Sequence, residues 1–180
     1  MRSSAWATRL FALAFGLAAG APAAFAHEYP IGTPQTVAGM VISAVYLQPI
    51  EMDPAGMMRA AKDSDVHLEA DIHAAKGNTN GFAQDDWIPY LRVKYEVDKA
   101  GDTQALKGVF MPMVANDGPH YGDNAKLMGP GKYTLKLTIS PPGRDFGRHV
   151  DKETGVGPWF KPFTISFNFI YAGVGKKGAY

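Results

Sequence analysis

The feature that most limits how this chain can fold is a period-two alternation that keeps returning. In "KYTLKLTIS" (132–140), Tyr133, Leu135, Leu137 and Ile139 fall on one face, and Thr134, Lys136, Thr138 and Ser140 on the other. "FTISFNFIY" (163–171) sets Phe163, Ile165, Phe167 and Phe169 against Thr164, Ser166 and Asn168. "YLRVKYEVD" (90–98) repeats the pattern, and "GMVISAVYLQ" (39–48), "DVHLEADIHA" (65–74) and "ALKGVFMPMV" (105–114) complete a set of at least six strands. Each is bounded by Gly, Pro, Asn or Asp. No window carries a sustained helical stripe; only "PAGMMRAA" (54–61) fits one or two helical turns. Short alternating strands with one apolar and one polar face predict an all-β, immunoglobulin-like antiparallel β-sandwich.

The first 26 residues stand apart. Arg2 and Arg9 give a positive start, Leu10 to Ala19 is an apolar run, and Ala24, Phe25 and Ala26 form an A-x-A cleavage site. This reads as a secretory signal peptide over 1–26. Residues 27–180 then form a single β-sandwich metal-binding domain with room for a core. Without 1–26 the formal charge falls from +1 to −1, because two arginines and no acids are removed. No basic excess remains to hold a nucleic acid. The chain has no cysteine, which excludes disulfides, thiolate zinc and iron–sulfur ligation. Any metal must be held by His, carboxylate or Met. All five histidines and seven of the eight methionines lie after residue 26.

On an extended 65–74, His67, Glu69, Asp71 and His73 share one face at steps of about 7 Å. Further candidates are Met113 and His120, spaced M-x6-H, and His149. Two segments read as long connections, "NDGPHYGDNAK" (116–126) with His120 and "PPGRDFGRHVDKETGVGP" (141–158) with His149; such loops often carry function. A Met-rich bend, "QPIEMDPAGMM", holds Glu51, Met52, Met57 and Met58. The residues alone leave two readings open: the wet side of a sheet with incidental histidines, or a metal site. As a site, imidazole with thioether suits copper in both oxidation states, and Glu69 adds a harder donor. Asp71 or Glu51 could then hold a second metal nearby.

Several blocks carry a resemblance: "EYPIG", "AVYLQPIEMDP.GMM", "DVHLEADIHA..GN.NGF", "WIPYL", "FMPMVANDGPHYG.N.K.MG.GKY" and "RH.D.ETGVG.WFKPF". Together they closely resemble the periplasmic high-affinity iron-transport protein family, from Glu28 to about Gly173. The resemblance implies a dimeric immunoglobulin-like sandwich that binds copper in the bacterial periplasm and works with an inner-membrane iron permease. It places copper ligands on His67, Met113, His120 and His149, with Glu69 direct or adjacent, and leaves His73 as a surface or supporting residue. Iron would dock on hard donors, for which Asp71, Glu51 and Glu28 are the candidates. Copper-assisted redox of iron and metal carriage without turnover both fit such a chain.

A rival reading starts from His27. Cleavage after Ala26 would leave a free amino-terminal histidine able to form a copper brace, as a copper oxidase or copper carrier would use. A binding module without metal is a third. A histidine-dominated site also carries a pH expectation: imidazoles bind metal only when neutral, so affinity should weaken below about pH 6.

Overall fold

Strand alternation sorts the side chains into a shared interior and two outer faces in the computed structural model, which describes residues 27–174. The strands are β1 (Tyr29–Pro30), β2 (Gln35–Val37), β3 (Met40–Leu47), β4 (Val66–Ala74), β5 (Arg92–Lys99), β6 (Ala105–Ala115), β7 (Gly118–Ala125), β8 (Gly131–Ser140) and β9 (Phe163–Tyr171). Neighbours run antiparallel in the order β1-β3-β4-β7-β6-β5-β8-β9, with β2 also on β3. The protein is therefore all-β and antiparallel, as the alternation predicts, and the immunoglobulin-like sandwich is compatible with it. No helix among the described residues is long and apolar enough to cross a membrane. The signal peptide expected over 1–26 lies outside the described residues.

β6 belongs to both layers. Ala105–Phe110 pair with β5, and Met111–Ala115 pair with β7. Pro112 sits just past this crossover, where β6 has one neighbour only, so its missing N–H is tolerated. At the other end Gln35 Nε2 donates to the Ser166 carbonyl at 2.9 Å, bringing β2 against β9. The sheet is nearly closed into a barrel. Its interior holds Ile42, Leu68, Ile72, Val93, Leu135, Leu137, Ile139 and Phe167, all almost inaccessible. Tyr121 lies among them; its hydroxyl donates to the Ile88 carbonyl at 2.7 Å and accepts from Leu91 N–H at 2.9 Å. That pair pins the 87–91 connection to the sheet.

Two local expectations are corrected. Residues 116–126 are not a long loop: a two-residue turn, Asn116–Asp117, leads into β7, and His120 lies on that strand. "GPHYGDNA" has little strand propensity, but β4 and β6 bond it on both sides, and pairing overrides composition. Gly118 takes φ 138°, which glycine permits. Nor is 54–61 helical; it is bends and turns, with a single 3-10 turn at Ala61–Asp63. The long connection after β8 does exist. It is fastened to the 78–81 turn by Gly157 N–H donating to the Thr79 carbonyl at 2.7 Å, and by Asn80 Nδ2 donating to the Gly157 and Pro158 carbonyls.

Candidate metal centre

The polar row on β4 is not the wet side of a sheet: His67 is fully buried and Glu69 is 5% exposed. Antiparallel register puts Asn124 opposite His67, Gly122 opposite Glu69, Met111 opposite Gly122 and Met113 opposite His120. Directly paired residues project to one face, so three strands supply a single patch. Within it one ligand atom each of His67, Glu69 and His120 lie within 4.8 Å of one another. Glu69 Oε1 is 3.6 Å from His67 Nε2 and 3.3 Å from His120 Nε2. Facing pairs have Cβ atoms roughly 4.5–5.5 Å apart, which sets the half-buried Met113 beside His120. Gly122 makes the room: a Cβ there would stand 2.5 Å from His67 Nε2.

Asn124 decides which nitrogen of His67 faces the patch. Its Nδ2 donates to the carbonyls of Ile50 (2.8 Å) and Arg59 (2.9 Å), which fixes the amide orientation. Its Oδ1 is then an acceptor, for Ile50 N–H at 3.1 Å and for His67 Nδ1 at 3.0 Å. The proton of neutral His67 therefore sits on Nδ1, and Nε2 turns an open lone pair toward Glu69 and His120. That Nε2 is buried with no hydrogen-bond partner. Such an atom is costly to bury unsatisfied, and a metal ion would satisfy it. The residues present fit one.

Burial sets the charge state. It pulls His67 down to about 4, with Asn124 opposing and His120 assisting. Burial also lowers His120, against the pull of Asp71 and Asp117. Glu69 is pushed up to about 8, first by burial, then by repulsion from Glu28, Asp71 and Asp117. Near neutral pH all three groups are thus uncharged in the metal-free protein. The contacts of Glu69 with the two imidazoles are not ion pairs; a cation is the partner that would let the carboxylate ionise.

Next to this patch lies a pocket of about 260 Å³ lined by Glu28, Glu69, Asp71, His73, Asp117 and His120, among others. Burial raises Asp71, and Glu28 is raised by burial and by its contact with Asp117. His73 Nδ1 donates to the Asp85 carbonyl at 2.8 Å, leaving its Nε2 free. Two of the hard-donor candidates, Glu28 and Asp71, therefore meet. Glu51 does not join them: it lines a separate pocket with Met52, Met58 and Arg59. His149 lies outside the triangle too, exposed in the long loop with Nδ1 2.7 Å from Thr154 Oγ1. His27 is likewise absent from the cluster; its ring packs edge-on against Tyr29 at 4.6 Å.

Sequence reasoning missed Asp117, Gly122 and Asn124. The first had a signal: Asp117–Gly118 is a hairpin dipeptide between Met113 and His120, and reading it as a turn would have exposed the alternation His120, Gly122, Asn124.

Residues 25–173 match the family described as "Fe2+ transport protein". The chain belongs to that family. Among its curated relatives is a UPF0423 protein of Brucella abortus, 67% identical over 172 residues and covering 93% of each chain. The 34 kDa membrane antigen of Treponema pallidum is 40% identical over 147 residues, covering 78% of this chain and 72% of that one. Among solved structures, copper-reconstituted P19 of Campylobacter jejuni superposes with a TM-score of 0.81 at 51% identity, covering 83% of this chain and 99% of P19. FetP of uropathogenic Escherichia coli strain F11, expressed in the periplasm of E. coli, gives 0.80 at 52%, covering 82% and 98%.

Proposed function

We propose that this Fe2+ transport family member is a periplasmic copper-binding component of an iron-uptake system, handing iron to an inner-membrane permease. The observation that carries the reading is the convergence of His67 Nε2, His120 Nε2 and a Glu69 oxygen within 4.8 Å, with the His67 lone pair buried and unpartnered. Met113, paired with His120 across β6 and β7, would add a thioether. Imidazole and thioether together suit copper, and copper is what the structural relatives P19 and FetP variants carry. Bound copper would supply one-electron exchange with iron. Iron, as cargo, would dock on the oxygens of Glu28, Asp71 and Asp117 in the adjoining pocket.

His149 keeps its place as a ligand only if a second copy brings it. It is exposed, its Nδ1 is turned to Thr154, and its Nε2 is free to reach outward. A homodimer in which each loop completes the other chain's centre is the arrangement this favours. The test is titration with Cu(II) of Met113→Leu and His120→Ala. Each should lose at least tenfold in affinity; unchanged affinity in both would remove the ligand assignment.

A further inference from the structure

A second group of thioethers lies outside the ligand triangle. Met57 and Met58 from the bend after β3, and Met111 from β6, line one cavity of about 600 Å³. Methionine usually fills gaps in cores, yet Met57 is 47% exposed. Segments more than fifty residues apart thus bring three soft donors to one opening.

Further observations show what the opening suits. The cavity wall includes Asn124, which also accepts a hydrogen bond from His67 Nδ1–H and holds the bend by donating to the Ile50 and Arg59 carbonyls. Met111 is two residues from Met113 on the same face of β6, and pairs with the Gly122 that makes room for His67. The cavity is therefore the back door of the metal centre. Its one carboxylate, Asp123, is held through one oxygen by the Tyr95 hydroxyl at 2.9 Å, so thioethers outnumber hard side-chain oxygens of this kind in the lining. Arg59, Arg92 and Lys107 also line it, the last paired with Glu96 at 2.7 Å. Their repulsion scales with the charge of an incoming ion, which penalises a divalent ion twice as much as a monovalent one. No imidazole lines the cavity, so binding there carries no proton competition in the acid range.

We infer that Met57, Met58 and Met111 form an entry site for a soft monovalent cation, Cu(I), which passes from there to the His67–Met113–His120 centre. This rests on the copper reading above. It adds a second site with its own donors and its own metal preference.

The probe is Ag(I), a soft, redox-inert monovalent cation, added to protein with 13C-labelled methionine methyls. In the wild type, the methyl signals of Met57, Met58 and Met111 should shift, as should that of Met113. In His120→Ala the three should still shift. In Met57→Leu/Met58→Leu, Ag(I) stoichiometry should fall by one while Cu(II) affinity stays within twofold of wild type. Signals of Met57 and Met58 that stay fixed while Met113 moves would overturn the entry site and leave the copper centre standing. A Met113 signal that stays fixed, with no Cu(II) bound, would instead remove the copper centre. The Leu pair keeps volume and apolarity, and the Cu(II) measurement reports that the variant is folded.

Discussion

Replacing Glu69 with Gln should stabilise the metal-free protein, and increasingly so as pH rises. Burial and three neighbouring carboxyls push Glu69 from 4.5 to about 8. In the unfolded chain it ionises near its ordinary value. Between these two values the folded state holds a proton that the unfolded state has lost, so stability falls as pH rises through 4.5 toward 8. At ~1.4 kcal/mol per pH unit, the full penalty above pH 8 is about 5 kcal/mol, of which about 4 kcal/mol develops between pH 5 and pH 9. Glutamine does not titrate and fills nearly the same space, so the penalty vanishes in the variant. The assay is urea unfolding of chelator-stripped wild type and Glu69→Gln at both pH values. The variant's advantage should grow by about 4 kcal/mol from pH 5 to pH 9; other titrating groups largely cancel in the comparison. Curves that run parallel within about 1 kcal/mol would show that Glu69 is not held protonated and that the electrostatic picture of the centre is wrong.

The same charge states fix how metal binding couples to protons. At pH 7, Cu(II) binding should release about one proton, from Glu69 and not from imidazole, and none in Glu69→Gln; calorimetry in buffers of different ionisation enthalpy reads this directly. Because burial lowers His67 to about 4 and lowers His120 as well, the acid loss of copper affinity should set in below the onset near pH 6 that unperturbed imidazoles would give; a titration of Cu(II) affinity against pH reads it. Gly122→Ala should drive the His67 ring from its position and lower Cu(II) affinity by more than tenfold with the strand intact by circular dichroism. Asn124→Ala should cost about 10–100-fold in copper affinity and about 1–3 kcal/mol in stability, because it frees both His67 Nδ1 and the carbonyls of Ile50 and Arg59.

What could be read from the chain follows the range of the interactions involved. Parity on β4 is a local property, so the row His67, Glu69, Asp71, His73 was legible and only its burial was not. β8 and β9 alternate strictly between apolar and polar and were placed almost to the residue. β7 was hidden, because Gly118, Pro119, Gly122 and Asn124 are poor strand formers and the strand exists through its two neighbours. With β7 hidden, Asn124 and Gly122 had no register and Asp117 looked like any loop acid. Met113 and His120 drew attention by type and spacing, and only the hairpin shows that they face each other. Glu51 was grouped with Asp71 by chemistry alone; the bend carries it to another pocket.

Copper-loaded crystals measured on both sides of the copper absorption edge would put the ligand set to the sharpest trial. The anomalous peak is expected against His67 Nε2, His120 Nε2 and the Met113 sulfur, with a Glu69 oxygen alongside. A peak confined to the exposed loop at His149 or to the amino-terminal His27, with the buried imidazoles bare, would contradict the assignment.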